Sequence, residues 1–581
     1  MIDDLTTLFG TDVDEPFLRA LASGLDHHAD HVVAAESGGH HETAQHRTLA
    51  SGLRSLLTAY LYPGARRYAD PELLDGAMSL FKRLDGRLGD DGLFGGDNLA
   101  SPPDSSFTVS DVCVTTTLID TLAVPDDPGL ARLRRSLAAI RRAVTPALLT
   151  GGVHTPNHRW ELCAALARLH RLDPDPRLPA RIDQWLAEGI DIQPDGMYSE
   201  RSPLYAAHVT NPSLLAIADA LDRPALLDPV RRNLDAFAEL FDEDGVVESV
   251  HSRRQDQRKA FSGSGFLLLY RRFALREGRS DYGQIVTAIM RQGLVGEMAA
   301  TALAEVLIDT SLALSLPTAQ SGTERESPTE TFLADSGLAH LRSGRHSLTV
   351  FGGTDSPRFP VIASGLSTNP TFLRFRRGDA LLTSVRLSMD FFGLGPFRSE
   401  GLRREGGRYH LARILRAGYY QPLPASRQRP HGDYELGSEG RFFAAMDFVH
   451  RPTDTLELEV AVDIEPTDRG ADVRLTLEGP PTSYTLELTF PDGGILEGVR
   501  PVPGRPSTFE LAEGSGTYTV GRDRITFGPG SAAGPSGGPP LFDYGEQFTY
   551  LGARDDVPGR KVFLTGRIPG AHTLHLTGDD V

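Results

Sequence analysis

Halfway along this chain the spacing of its apolar residues changes, and no single packed layer accommodates both spacings. Up to about Leu316 the apolar side chains follow a helical period. Leu49, Leu53, Leu56, Leu57 and Tyr60 mark one face, and Leu178, Ile182, Trp185 and Leu186 mark another, as in helices buried on one side. Beyond about Phe332 the period becomes two. Leu456, Leu458, Val460, Val462 and Ile464 alternate with polar residues, as do Val473, Leu475 and Leu477, and then Tyr484, Leu486, Leu488 and Phe490; this is how strands with one buried face read. Between the halves, Pro317 to Pro328 is polar and has no face to bury. The sequence predicts an α+β multidomain chain: a helical domain over residues 1–316, a linker over 317–331 and an antiparallel all-β domain over 332–581.

The helical half repeats. Asp-Pro pairs stand at Asp70-Pro71, Asp127-Pro128, Asp175-Pro176 and Asp228-Pro229. Asp is a good N-cap and Pro is tolerated in the first helical turn, so each pair can open a helix. A glycine turn follows each: Asp91-Gly92-Leu93-Phe94, Gly151-Gly152-Val153-His154, Asp195-Gly196-Met197-Tyr198 and Asp244-Gly245-Val246-Val247. The unit is a helical hairpin that cannot bury its inner face alone, so the hairpins must stack. A period of about fifty residues gives roughly six of them, enough to close a ring, with an open superhelix as the competing geometry. Either way the loops after the glycine turns gather at one end, where a rigid scaffold usually carries its chemistry.

Charge narrows the partners. The net charge of −18 repels a phosphate lattice, so no nucleic-acid partner is expected. No apolar run approaches a membrane span, and Met1-Ile2-Asp3-Asp4-Leu5 lacks the basic start of an export signal. The expectation is a cytoplasmic protein, or a secreted one trimmed of its signal. Two cysteines, Cys113 and Cys163, cannot build a disulfide framework or a four-thiolate metal site.

Three loops concentrate the chemistry. The first is His154-Thr155-Pro156-Asn157-His158-Arg159-Trp160-Glu161. Helix capping accounts for Asn157, but not for two histidines and an arginine on one turn. The second, in the next repeat, runs from Asp195 through Tyr198, Ser199, Glu200, Arg201 and Ser202 to Tyr205. If adjacent hairpins stack, Glu200, Arg201, Tyr198 and Tyr205 face Asn157 and His158 across a groove. The plain alternative makes the tyrosines amphipathic core residues and pairs Glu200 with Arg201 or Arg159. The third loop, Glu248 to Lys259, carries His251, Arg253, Arg254, Arg258 and Lys259. It is either a solvated charge run or a patch for a carboxylate or sulfate.

Asn157-His158 before a Trp-containing helix resembles the heparinase II/III-like polysaccharide lyases, which include oligoalginate and heparan lyases. So does Asp195-Gly196 with Glu200, Ser202 and Tyr205 in the next repeat. The resemblance implies an N-terminal incomplete (α/α) toroid followed by a C-terminal antiparallel β-sandwich. It also implies β-elimination next to a uronic acid, giving a 4,5-unsaturated sugar, with an anionic uronate-containing oligo- or polysaccharide as partner. Carried over by motif, Asn157 neutralises the uronate carboxylate, Tyr205 is the acid at O4 and a candidate base, and His158 is the other proton-transfer group. His154, Arg159, Trp160, Tyr198, Glu200, Arg201, Arg253 and Arg254 are candidate substrate-binding residues.

The chain departs from that family early in its β half. The family's histidine-bearing segment there would help catalysis or hold a structural zinc. The comparable stretch Phe372 to Leu382, preceded by Ser367-Thr368-Asn369-Pro370, has no histidine. Tyr409-His410 is the substitute candidate for a catalytic partner, and neither a zinc nor another cofactor is expected to be required. Two other readings stay open. One is a toroid glycoside hydrolase with paired carboxylates, from Asp104, Asp195 and Glu200; the other is a non-catalytic carbohydrate-binding protein. The crowded His27, His28, His31, His40, His41 and His46 invite a metal, but His41-Glu42-Thr43-Ala44-Gln45-His46 has one residue too many for the zinc motif of two histidines on one helix face.

Overall fold

The computed structural model describes residues 8–95, 100–122, 127–258, 261–317, 329–359, 366–530, 541–545 and 557–581. Most of the expected linker and Lys259 lie outside these residues. Two compact units emerge. The first takes the described residues up to Ser249 and those from 261 to 317; the second takes 250–258 together with the chain from 329 onward.

Among the described residues, twelve helices of ten or more residues build the first unit: α1 (Glu15–Ser37), α2 (His46–Leu61), α3 (Pro71–Asp85), α4 (Pro102–Leu122), α5 (Pro128–Thr150), α6 (Pro156–Leu172), α7 (Arg177–Leu186), α8 (Asn211–Leu221), α9 (Leu227–Ala238), α10 (Leu267–Glu277), α11 (Ser280–Arg291) and α12 (Gly296–Ile308). Even-numbered helices line the inside, α2 against α4, α4 against α6 and α6 against α8, and α12 returns onto α1, α2 and α4. Six hairpins therefore form a ring, and the open superhelix is excluded. Arg271, wholly buried, clasps the closure. It donates to Leu312 O (2.6 Å), Leu314 O (2.6 Å) and Asp14 Oδ2 (2.9 Å), with its guanidinium over Phe17 at 3.7 Å.

The sequence signals act mostly as expected. Asp70 accepts from Glu72 N, and Asp127 from Gly129 N and Leu130 N, so two Asp-Pro pairs cap α3 and α5; Asp175 accepts from Arg177 N, but the cap position of α7 is Pro176. Asp228 is different: a 3₁₀ turn, Pro224–Leu226, precedes it and Asp228 already lies inside α9. Three glycine turns are copies of one tight reversal, closed by bridges Leu88–Phe94, Ile192–Tyr198 and Phe241–Val247. At Gly196, φ is +86° and an added Cβ would stand 2.7 Å from Arg232 O, so only glycine fits. Gly92 and Gly245 press on the carbonyls of Ala143 and Ala288 in the same way. Gly151, with φ of −67°, is instead the cap of α5; the fourth expected turn is not one of the set.

The second unit is antiparallel almost throughout. Its main strands are β1 (Thr329–Leu333), β2 (Leu338–Ser343), β3 (His346–Phe351), β4 (Leu373–Arg377), β5 (Ala380–Met389), β6 (Arg408–Tyr420), β7 (Thr453–Thr467), β8 (Gly470–Phe490), β9 (Gly516–Val520), β10 (Asp523–Gly528) and β11 (Arg560–Asp580). The stretch Phe372 to Leu382 spans a hairpin that turns at Gly378-Asp379. The long strand β8 is the spine. Its first half pairs with β7, its second half with β5, and β11 runs along both, with a register shift between Leu477 and Thr482. Changing partners at that bend folds one sheet over a single core, which joins Leu458, Val460, Val462 and Ile464 of β7 to Phe375, Leu382 and Val385 of β4 and β5. Beyond the bend β8 is buried on both faces, and the fully buried Glu487 is held there by Arg386 (Nε–Oε1 3.0 Å) and by the Tyr544 hydroxyl at 2.8 Å.

Candidate active site

The inner helices α6 and α8 present their N-terminal turns side by side. Pro156 at the first helical position opens α6, which places Asn157 and His158 on its first turn. In the next repeat the Gly196 reversal delivers Tyr198 to Ser202. The Ser202 hydroxyl then accepts from Tyr205 N at 3.1 Å and starts the short turn Pro203–Tyr205. The chain continues through a π-helical turn, Ala206–Thr210, into α8. Such turns are uncommon and favour functional positions. Arg201 adds a second irregularity, with φ of +51° on a non-glycine residue. Strain of that kind persists only where the surroundings enforce it.

The two loops meet directly. Asn157 Nδ2 donates to Glu200 Oε2 at 2.6 Å and reaches Thr155 Oγ1 at 3.3 Å. Asn157 and Glu200 are both buried, while His158 and Tyr205 are partly exposed and His154 is exposed. The rings of His154 and His158 sit edge to face, 4.6 Å between centroids. Of the residues expected to face one another across these loops, Asn157 and Glu200 are in direct contact. Glu200 pairs with the amide and not with Arg159.

Three expected substrate contacts have framework roles instead. Arg159 donates to Glu188 Oε2 (2.9 Å) and Asp191 Oδ1 (3.2 Å), and lies over the Trp160 ring. Trp160, fully buried, gives its indole N–H to the same Asp191 oxygen at 3.1 Å, and Ser199 donates to the other. Asp191 therefore ties the start of α6 to the second loop. Tyr198 turns inward. Its hydroxyl donates to Asn211 Oδ1 (2.7 Å), Asn211 to Asn233 Oδ1 (2.9 Å), and Asn233 to Gly196 O (3.0 Å). This relay locks the glycine turn to the helices behind it, and burial pushes the Tyr198 hydroxyl far above its ordinary pKa, so it stays protonated.

Two ionisable groups that the sequence reading did not put forward as site residues lie beside these loops. Glu161, one turn past Asn157, is buried and accepts from Ser110 (2.9 Å) on α4 and Ser213 (3.1 Å) on α8; burial raises its pKa against the opposing pull of Arg168. His208 rides the π turn, reachable by solvent and edge-on to Phe261 at 6.4 Å, and the protein around it lowers its pKa. A Cβ on Gly265 would come within 2.5 Å of the His208 ring. An i, i+4 step from Asn157 and an i, i+3 step from Tyr205 were the available signals for these two residues.

The third-loop residues belong to the second unit. Arg253 forms a bidentate pair with Asp355 (2.6 and 2.7 Å), and the Arg254 backbone N–H caps onto Ser252. Val250 O accepts from Asn369, and Gln257 O from Arg374. Arg253 is thus committed to a carboxylate of its own unit. Tyr409 is also structural: buried, it donates to Glu330 Oε1 at 2.6 Å, which with burial raises its pKa. His410 pairs with Asp463 at 2.8 Å and lines a groove of about 480 Å³ with Glu400, Arg403 and Arg413. Of the metal candidates, His41 pairs with Glu36, while His46 is held by Thr108 and Asp104. Among the described residues no group of His, Cys, Asp and Glu is spaced to hold a metal, and no helix is long and apolar enough to cross a membrane.

No family model and no curated protein sequence matches the chain. Solved structures match its architecture. A point mutant of chondroitin AC lyase from Streptomyces coelicolor A3 aligns over 99% of this chain and 81% of its own, with TM-score 0.50 and 13% identity. A Paenibacillus xanthan lyase aligns over 98% of this chain and 58% of its own, with TM-score 0.51 and 9% identity. The likeness is one of fold. A helical ring followed by an antiparallel β unit is the architecture this chain shares with them, as expected from its sequence.

Proposed function

We propose that this protein is a polysaccharide lyase that cleaves next to a uronic acid by β-elimination, within the broad group that the heparinase II/III-like resemblance indicates. The observation that carries the reading is the hydrogen bond from Asn157 to Glu200. It sets an amide able to engage a carboxyl group on the turn beside His158, in the repeat adjoining the strained loop that ends in Tyr205. The fold shared with chondroitin AC lyase and xanthan lyase supports it.

The chemistry follows from what each group can do. A proton at C5 beside an ionised carboxylate is only weakly acidic, so the carboxyl charge must be neutralised as the carbanion develops. Asn157 is the group placed for that. His158 removes H5, and Tyr205 delivers its phenolic proton to the departing O4. The C4–O4 bond breaks and the C4–C5 double bond forms. A glycosidase would need two available carboxylates, but Glu200 holds Asn157, Asp195 receives Met197 N, and Asp104 pairs with His46 and Arg47.

The test is ultraviolet absorbance of an unsaturated uronate during incubation with a panel of uronate-containing glycans. Absorbance growing with cleavage supports elimination; new reducing ends without absorbance would mean hydrolysis. Carboxyl-reduced glycan should not be cleaved, because nothing remains to acidify H5.

A further inference from the structure

Asn157 is oriented the wrong way round for its simplest role. A carboxamide binds a carboxylate anion through its N–H groups, yet both contacts of Asn157 Nδ2 are already within the protein, to Glu200 and to Thr155. Turning the amide over would set its oxygen against a Glu200 oxygen, acceptor against acceptor. The oxygen Oδ1 is therefore what remains, and among the described residues it has no hydrogen-bond partner although Asn157 is 1% exposed. A buried acceptor left unmade costs about 1–3 kcal/mol, and native proteins seldom keep one without a purpose. It lies on the first turn of α6, beside the partly exposed Thr155 and His158.

We propose that the site takes its uronate as the protonated acid, whose O–H is donated to Asn157 Oδ1, and that Glu200 is the positioning residue imposing this polarity. The inference rests on the elimination reading above. An ionised carboxylate offers Oδ1 only further acceptors, whereas a neutral acid carries one O–H donor. One proton is taken from solvent on binding and stays on the carboxyl group. H5 leaves to the base, O4 departs with the C4–O4 electrons and takes a proton from the acid, and the carboxyl proton is released with the product. The neutral acid also acidifies H5 more than the anion would, so binding and activation are one event.

Other ionisable groups face the amide from its own loop and from the elements packed beside it. They are His158 and His154 on its own loop, Arg159 and Glu161 further along α6, and Tyr198, Glu200, Arg201, Tyr205 and His208 from the neighbouring repeat. From α4 come Asp104, paired with His46 and Arg47, and Asp111, paired with Arg54. The experiment must subtract them.

A glucuronate disaccharide, its primary carboxamide and its methyl ester would be titrated calorimetrically into full-length Tyr205→Phe protein between pH 5 and 8. The carboxamide always carries donors, so its pH profile reports the protein's own groups, and the difference between acid and amide isolates the ligand proton. The expected result is uptake of one extra proton with the acid, and an advantage of the amide over the acid that grows about tenfold per pH unit, so about a thousandfold between pH 5 and pH 8; the ester, lacking a donor, should be about tenfold weaker than the amide throughout. Glu200→Gln can donate to Oδ1 and so permits the amide to turn over, which should make the acid the better ligand at pH 8. Binding of the acid without proton uptake and tighter than the amide at every pH would overturn the proposal. So would a Glu200→Gln protein that weakens all three probes alike. Formation of an ultraviolet-absorbing product from uronate glycans would in either case leave the elimination reading standing.

Discussion

At the scale of single residues the sharpest expectation concerns Tyr205. We propose that it acts on a bond, so Tyr205→Phe should lower kcat by about 10²–10⁴-fold while KM changes little. Near-wild-type turnover would remove it from the mechanism. Residue identity alone did not distinguish the chemical groups from their supports. Asn157, His158 and Tyr205 stood out as candidates because no capping or core role accounts for all of them on adjoining turns. Arg159, Trp160 and Tyr198 looked equally suitable, yet each is consumed by a partner about 13 to 32 positions away (Asn211 for Tyr198, Asp191 for the other two), and long-range pairing leaves no mark on local spacing.

At the scale of elements, Glu161 fastens three inner helices through Ser110 and Ser213, and it does so best without charge. Burial raises its folded-state pKa, so the native chain binds this proton more tightly than the unfolded chain. Its contribution to stability is therefore greatest below the ordinary carboxyl range and declines as pH rises through the folded-state value. Glu161→Gln stays neutral and keeps one donor and one acceptor for the two serines. Its melting temperature should match the wild type at low pH and exceed it progressively toward neutrality. A wild type that is more stable across the whole range would mean the ionised carboxylate is the form the helices need. The repeat itself was readable from Asp-Pro pairs and glycine turns, because capping and positive φ are local demands that only a few residue types meet. The π turn after Tyr205 and the hairpin within Phe372 to Leu382 were not, since both are decided by what the segment meets in space.

At the scale of the whole molecule, the change of hydrophobic period located the two units, but it could not reveal that residues 250–258 leave the first for the second. A chain truncated after Leu316 would keep those nine residues while losing Asp355, Leu366, Asn369 and Arg374, their hydrogen-bonding partners. It should be less soluble and melt lower than the intact protein; an equally stable fragment would show the excursion to be dispensable. Arg271 invites a second measurement. Arg271→Met leaves two carbonyls and Asp14 without their donor, and should cost about 3–5 kcal/mol in denaturant unfolding. That same clasp also sets a schedule for synthesis. Arg271 follows Asp14 by 257 positions along the chain, and Leu312 and Leu314 come later still. The nascent ring must wait with its leading edge unpaired until nearly the whole helical half has emerged, so its early hairpins depend on chaperones, or on their own Asp and Gly stops, to remain productive during that delay.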